Sequence, residues 1–227
     1  MPRKGLTNWI ETDRKWSYFI NTNYAVTVAW PASKDIETAH EIALFVREVQ
    51  DLVGPAVIDH SMGFHSCLFY LNNSLISARA FIDALDAIEV EQQQNPNEDL
   101  LIIPLSISDD HALDLESISS VSGLSSSEVI DIFCSATYTV HFQGFLPGFT
   151  YIGGLDARLN LPRRQRPRVR VPAGSVAIAA GLIGIYPISS PGGWHIIGKT
   201  DIKLFDPDLI PPSRCHTGMK IRFNPEV

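Results

Sequence analysis

Five arginines lie within eight residues of an otherwise acidic chain: Arg163, Arg164, Arg166, Arg168 and Arg170. A guanidinium group can grip a carboxylate or a phosphate through two parallel hydrogen bonds. The spacing of the last three predicts a strand that carries them on one face, with Pro167 and Val169 on the other. We therefore expect an anion site or an intersubunit contact here. The alternative is a solvated edge strand that its charges protect from aggregation.

Two turns built from glycine and proline place aromatic side chains beside accessible backbone. The first, GFLPGF at 144–149, could hold Phe145 and Phe149 toward one pocket or partner, or be a purely structural turn. The second, SPGGW at 190–194, has two glycines that would let a ligand approach main-chain N–H groups closely. Its alternative is a hairpin turn with Trp194 in the core. Both turns are candidate parts of a binding site.

The sequence lacks the standard motifs of an autonomous hydrolase. Ser175, Ser189 and Ser190 stand outside any nucleophile elbow, and the seven histidines show no HExxH spacing. The phosphate-binding patterns GxxxxGKS and GxxxxGKT are absent from the chain. These observations predict no metal ligand set and no independent hydrolysis of ATP.

The composition of the chain argues against several classes of partner. Its 227 residues include 18 Lys and Arg against 25 Asp and Glu, which gives a net charge of -7. Nucleic-acid binding needs a positively charged surface, so this charge argues against it. Residues 1–16 lack the apolar segment of a signal peptide, and no membrane-spanning run follows. The three cysteines, Cys67, Cys134 and Cys215, form no CxxC pair. We expect a cytoplasmic protein without nucleic-acid or membrane partners.

Periodicity in residues 1–98 predicts a small α+β domain. It is expected to contain two strands within 16–28, a helix over 36–49, strands at 56–58 and 67–71, and a second helix over 76–90. Ser33 is the expected N-cap of the first helix, and Gly54 and Pro55 are its expected stop.

The Gln-rich and Asn-rich stretch 91–99 has no apolar face, so we expect the domain boundary there, with the second domain at 99–227. That domain begins with a strand at 100–107, and Ser125 with Glu128 matches a capping box for a helix through Cys134. Short apolar runs separated by glycine and proline follow, at 138–142, 176–179, 183–186 and 194–197. This pattern is typical of a compact β-barrel, and the fold class predicted for the whole chain is α+β.

Four strings resemble, in order and spacing, the family of the B component of 5-oxoprolinase, a multi-subunit enzyme. They are FLPGFTYIGGLDARL from Phe145, LPRRQRPRVRVPAGSVAIAAG from Leu161, GIYPISSPGGWHIIGKT from Gly184, and LFDP from Leu204. The family includes allophanate hydrolase subunit 1 and the kinase inhibitor KipI. The resemblance is dense from residue 125 to 207 and weaker before residue 100. It implies a carboxyltransferase domain in which a small α+β domain precedes a cyclophilin-like β-barrel.

The resemblance also implies an activity and partners. Family members open 5-oxoproline to glutamate with ATP as co-substrate of the complex, beside a homologous C component and a third, A component. The chain would then be a non-autonomous part of a hydrolase whose substrate is a small cyclic amide.

Positions that match the family's motifs are expected to bind substrate between subunits: Phe145, Pro147, Gly148, Phe149, Tyr151, Arg163, Arg164, Pro172, Gly174, Ser175, Tyr186, Ser190, Gly192, Gly193 and Trp194. Among them, Arg163 and Arg164 would hold a carboxylate or phosphoryl group. Backbone N–H groups near Gly192 and Gly193 would stabilise developing oxyanion charge. No residue is assigned a catalytic role.

Three positions depart from the family's pattern: Phe133, Leu182 and Ile183 stand where relatives usually carry His, Gln and Thr. They replace polar groups with apolar ones.

The alternative function is that of a KipI-like protein, which would bind and inhibit a sensor histidine kinase with Phe145 and Phe149 as partner anchors. A peptidyl-prolyl isomerase ranks below both, because no string resembles the isomerase site.

Overall fold

A computed structural model describes residues 9–32, 36–88 and 99–226 of the chain. The chain divides into two compact units, Met1–Gln94 and Asn95–Val227. The boundary that we predict between residues 98 and 99 adjoins a stretch, 89–98, outside the described residues, so its exact position stays a prediction. The predicted N-cap Ser33 also lies outside them.

The first unit is an antiparallel sheet with two helices. Its strands are β1 (Trp9–Ile10), β2 (Ser17–Thr22), β3 (Ala25–Ala29), β4 (Val57–Met62) and β5 (Ser66–Leu71), in the order β1-β2-β3-β5-β4. The helices are α1 (Ile36–Val53) and α2 (Ala78–Leu85), and a 3-10 turn at Gly54–Ala56 ends α1 as predicted. Strand β4 is longer than expected, and α2 is shorter, beginning at its N-cap Ser77, whose hydroxyl accepts the Ala80 N–H at 3.2 Å.

Apolar faces of these elements form one core. The helical residues Ile42, Phe45 and Phe81 are fully buried against strand residues such as Val28 and Phe69. On α1 the buried residues Ala39, Ile42, Val46 and Val49 recur at helical spacing, which is why periodicity alone predicted this helix.

The second unit contains the remaining elements: β6 (Leu100–Ser106), α3 (Leu115–Ser122), α4 (Ser126–Ser135), β7 (Tyr138–Gln143), β8 (Thr150–Gly153), β9 (Arg168–Val171), β10 (Ser175–Ala179), β11 (Leu182–Ile185), β12 (Ser190–Gly192), β13 (His195–Lys199) and β14 (Lys220–Glu226). Seven strands close a barrel in the order β10-β11-β8-β7-β14-β6-β13, while β9 and β12 form a separate two-stranded sheet. Only β6 and β14 pair in parallel among the described strands. The predicted α+β class with a C-terminal barrel is confirmed.

Alternation of side chains along β8 and β11 separates the barrel core from the outer surface. In β11, Ile183 and Ile185 are buried in the barrel core, and the intervening Gly184 faces outward. In the neighbouring β8, Ile152 enters the core, and Tyr151 pairs with Gly184 in the ladder. Because Gly184 has no side chain, flanking aromatic side chains can pack against the outer face of these two strands.

Local sequence signals predicted α4 but not α3. Ser125 accepts the Glu128 N–H at 3.3 Å while the Glu128 carboxylate accepts the Ser125 N–H at 2.8 Å, which confirms the predicted capping box. Helix α3 was not predicted. It ends at Gly123, whose φ of +72° is the left-handed conformation that glycine adopts readily.

The arginine strand is shorter than the spacing predicts. Strand β9 begins at Arg168, which pairs with Gly192, so Arg166 precedes the strand and the prediction of one face carrying all three arginines is wrong. Pro167 has no N–H to contribute to a ladder, which explains a start one residue later. Val169 is 89% exposed, consistent with a surface strand.

Candidate functional site

An aromatic cluster covers the outer face of β8 and β11. Phe149 is at its centre, with its ring centroid 4.9 Å from Tyr151, 5.0 Å from Tyr186 and 5.8 Å from Trp194. All three contacts are edge-to-face, the arrangement that the ring quadrupoles favour. Phe142 extends the cluster by stacking on Tyr151 at 4.7 Å. We call these rings, together with Phe145, the barrel-face cluster.

Two glycines let the rings sit directly on the backbone. A Cβ on Gly184 would lie 2.5 Å from Cζ of Phe149 and 2.9 Å from Cζ3 of Trp194. A Cβ on Gly192 would lie 2.3 Å from the Tyr186 hydroxyl oxygen. Neither distance is compatible with a side chain, so both positions require glycine for close approach.

The GFLPGF turn presents Phe145 at the rim of the cluster. The Leu146 N–H donates to the Gly144 carbonyl at 2.8 Å, which places Phe145, with φ of +68°, at the centre of a γ-turn. This conformation is strained for a phenylalanine, and such strain is concentrated at functional sites. The ring is 61% exposed and meets Phe149 edge-on at 5.4 Å. Gly148 completes the turn with φ of +80°, packed against Phe205.

Arg163 brings a positive charge to this aromatic surface. Its guanidinium carbon lies 5.9 Å from the centroid of the Trp194 ring, within the range of a cation–π contact. Burial raises the pKa of Tyr151 and of Tyr186, and the charge of Arg163 opposes the rise in both. The site therefore combines one cation with two phenols that stay neutral at ordinary pH.

Tyr186 is the more deeply buried of the two phenols. Its side chain is 1% exposed, its carbonyl accepts the Gly174 N–H at 2.7 Å, and its N–H donates to the Ser175 carbonyl at 3.0 Å. The turn that contains Gly174 has φ of +81° at that residue, where a Cβ would strike the Thr200 carbonyl at 2.2 Å. The predicted residues Gly174 and Ser175 thus position the Tyr186 backbone, and the Pro172 carbonyl accepts the Ser175 N–H at 3.3 Å.

A buried carboxylate lies beneath the arginine segment. Asp114, 3% exposed, accepts hydrogen bonds from Arg168 at 2.7 and 2.9 Å, from the Ile196 N–H at 2.7 Å, and from Arg164. Burial alone would raise the pKa of this carboxyl, but the hydrogen bonds from Arg168 and Ile196 and the charges of both arginines hold it below its ordinary value. Asp114 therefore stays ionised.

The structure brings together only part of the predicted site. Phe145, Phe149, Tyr151, Arg163, Tyr186, Gly192 and Trp194 share the outer barrel surface. Arg164 instead points to Asp114, and Ser190 lies in β12, paired with Val171. Gly193 accepts the Arg164 N–H at 2.8 Å through its carbonyl, while exposed Pro147 belongs to the GFLPGF turn.

Three contributors were missed from the sequence: Phe142, Gly184 and Asp114. Gly184 alone carried a usable signal, since a glycine alternating with buried isoleucines marks a close approach on the outer face. Of the positions that depart from the family pattern, Phe133 and Ile183 are fully buried in the barrel core. Leu182 is also buried, and alternation places it on the Gly184 side of β11.

The described parts of the chain contain no group of three or more His, Cys, Asp or Glu side chains able to hold a metal ion. Within the same parts, no helix is both long and apolar enough to cross a membrane.

Comparison with known proteins places this architecture in a family. The family model "Carboxyltransferase domain, subdomain C and D" matches residues 19–215. The chain belongs to this carboxyltransferase-domain family, as the sequence motifs predicted. The match begins within β2 and ends at Cys215, before β14, and it therefore covers the whole barrel-face cluster.

Curated relatives carry a more specific name, the B component of 5-oxoprolinase. The protein of that name from Bacillus subtilis strain 168 is 41% identical over 135 residues, which is 60% of this chain and 56% of the relative. Its counterpart in Escherichia coli O157:H7 is 35% identical over 176 residues, 76% of this chain and 79% of the relative. A solved structure of TTHA0988 superposes with a TM-score of 0.78 at 26% identity, covering 91% of this chain but 40% of that one. This chain thus corresponds to under half of that larger protein.

Proposed function

We propose that this chain is the B component of an ATP-dependent 5-oxoprolinase-type complex that opens a cyclic amide, 5-oxoproline, to glutamate. The observation that carries the proposal is the name shared by relatives at 41% and 35% identity. The complex would include a homologous C component and a third, A component. With its three cysteines free, the chain suits the reducing cytoplasm.

The geometry of the barrel-face cluster suits this substrate. A five-membered lactam is flat enough to lie against an aromatic ring, and its carboxylate needs a cation at one end. Arg163 supplies that cation beside Trp194, and it is exposed rather than bound to an acidic partner in the described contacts. Arg164 is ill suited to the role that the sequence assigned to both arginines, since Asp114 already binds its guanidinium.

The neutral phenols supply a second contact. Burial raises the pKa of Tyr151 and keeps it protonated, and its side chain is only partly buried, so its hydroxyl can donate a hydrogen bond to a polarised lactam oxygen. The N–H groups of Gly192 and Gly193 remain our candidates for stabilising oxyanion charge. Activation of the amide by ATP would fall to the assembled complex, because this chain has no phosphate-binding motif of its own.

Reconstitution tests this proposal directly. The chain would be co-expressed with the candidate C and A components, and glutamate formed from 5-oxoproline would be measured with and without ATP. We expect ATP-dependent glutamate that disappears when this chain is omitted. A chain that assembles with neither component, and instead blocks autophosphorylation of a sensor histidine kinase, would overturn the proposal in favour of a KipI-like inhibitor.

A further inference from the structure

We propose that Asp114 is the positioning residue that holds Arg163 over Trp194, and thereby sets the affinity of the site for the substrate carboxylate. The inference rests on the proposed function for the identity of that substrate. The positioning of Arg163 by Asp114 involves residues of this chain alone. Asp114 lies 49 residues before Arg163 and 80 before Trp194 in the sequence, and no motif singled it out.

Asp114 joins the two segments that carry these residues. Its carboxylate binds the side chains of Arg164 and Arg168 on one segment and accepts the Ile196 N–H on the other. Its own N–H donates to the Ile196 carbonyl at 3.0 Å, so Asp114 bonds both the N–H and the carbonyl of Ile196 in strand β13. One buried side chain thus fixes the residue next to Arg163 and the residue two beyond Trp194.

A backbone bond closes the arrangement at the site itself. The Arg164 N–H donates to the Gly193 carbonyl at 2.8 Å, which ties the immediate neighbours of Arg163 and Trp194 together. With the Arg164 side chain anchored on Asp114 and its N–H on Gly193, the preceding residue has little freedom. Arg163 is consequently presented on the aromatic face before any substrate arrives, which lowers the ordering cost of binding.

The charges around Asp114 support a role in anion binding. One carboxylate is matched by two arginines, and Arg163 adds a third positive charge nearby, so the local sum is positive in a chain of net charge -7. The charge of Arg168 already reaches Tyr186, where it opposes the rise in the pKa of that phenol. A carboxylate entering the site would meet an attractive potential.

The test uses Asp114→Asn in the reconstituted complex. Asparagine keeps the size and can still accept the Ile196 N–H, but it loses the charge that organises both arginines. We expect KM for 5-oxoproline to rise about tenfold while kcat changes little, because ground-state and transition-state binding of the carboxylate weaken together. Asp114→Glu, which restores the charge, should recover part of the affinity.

A second readout needs no substrate. In the isolated, 5-fluorotryptophan-labelled chain, the four tryptophans give separate fluorine signals, and Trp194→Phe assigns the one of interest. Arg163→Ala should move the Trp194 signal, Asp114→Asn should move it similarly, and the double variant should move it no further. Asp156→Asn is the matched control, since Asp156 pairs with Arg158 at 2.8 Å in the same unit and should leave the Trp194 signal unchanged.

Arg164→Met guards against a misfolded Asp114 variant. It removes the side-chain anchor immediately next to Arg163, while Arg168 and the Ile196 N–H still satisfy the carboxylate. A Trp194 signal and KM that both stay at wild-type values in folded Arg164→Met would overturn the inference. If the wild-type complex makes no glutamate but the Trp194 signal still moves as expected, the positioning role stands and the proposed function fails.

Discussion

Each unit of the molecule contains a cluster of closely packed aromatic rings, but only one of the two is a candidate site. In the N-terminal cluster, Trp16, Trp30, Phe45, Phe69 and Phe81 meet at centroid distances of 4.9 to 6.3 Å. In the barrel-face cluster the distances are 4.7 to 5.8 Å. Ring packing is therefore nearly the same in both and cannot by itself identify a binding surface.

The polar groups around the rings make the difference. In the N-terminal cluster the Trp16 indole N–H donates to the Tyr18 hydroxyl at 2.9 Å, and that hydroxyl donates to Asp86 at 3.1 Å. The Trp30 indole N–H donates to Glu41 at 3.2 Å. The polar groups of these aromatic side chains therefore all have hydrogen-bond partners within the unit, as buried polar groups require. The barrel-face cluster instead has exposed Arg163 and Phe145 and two glycines that bring the rings onto backbone.

The largest expected contrast is between two phenylalanines. Phe45 is fully buried in the N-terminal cluster, so Phe45→Ala should lower the free energy of unfolding of that unit by about 3 to 5 kcal/mol. Phe145, 61% exposed in the other cluster, is the matched position, and Phe145→Ala should change stability by no more than about 0.5 kcal/mol. Urea denaturation measures both. Equal losses would mean that the barrel-face cluster is an ordinary core.

Arg163→Ala should produce the next largest effect, and on activity rather than stability. Losing the cation that faces the substrate carboxylate should lower kcat/KM of the reconstituted complex by about 30- to 100-fold, or about 2 to 3 kcal/mol. Arg158→Ala is the control, because Arg158 is paired with Asp156 through two hydrogen bonds of 2.9 and 2.8 Å. Similar losses in both variants would exclude a specific role for Arg163.

Gly184→Ala tests whether close approach of the rings to backbone matters. The new methyl group would lie 2.5 Å from Phe149 and 2.9 Å from Trp194, so the rings must move, at a cost of about 1 to 3 kcal/mol in the barrel unit. Gly54→Ala, where a Cβ would find nothing within 4 Å, should be nearly neutral. Thermal unfolding compares the two variants. An unchanged midpoint in Gly184→Ala would show that the rings can move to accommodate the methyl group without loss of stability.

The secondary structure of both units was largely predictable because it follows from local patterns. The helical stripe from Ile36 to Val49 and the Ser125–Glu128 capping box required no knowledge of distant residues. Helix α3 was missed because its sequence, LESISSVS, offers few apolar positions and only Ile118 is fully buried. The parallel pairing of β6 with β14 joins segments over a hundred residues apart, for which periodicity gives no information.

The candidate site divides along the same line. The aromatic and glycine residues of GFLPGF and SPGGW were found because turn chemistry is local. Asp114 could not be found, since its partners Arg164, Arg168 and Ile196 are 50, 54 and 82 residues away, and a single aspartate in a polar stretch has no distinguishing neighbour. The same contact explains why the sequence could not tell Arg163, which faces the rings, from Arg164, which faces Asp114.

The smallest effect concerns pH and belongs to the closed N-terminal cluster. Burial raises the pKa of Tyr18 from its ordinary value of 10.0 to about 12. Because the folded pKa lies above the unfolded one, the stability that the neutral phenol contributes is complete below pH 10 and is lost as the pH rises toward 12. At pH 11 the loss should be about 1 kcal/mol. Urea midpoints of the N-terminal unit at pH 9 and pH 11 measure it, and Tyr18→Phe should remove the part of the difference that Tyr18 causes. A midpoint whose pH dependence is identical in Tyr18→Phe would mean that this phenol titrates alike in the folded and unfolded states, so that the N-terminal cluster does not shield it from water.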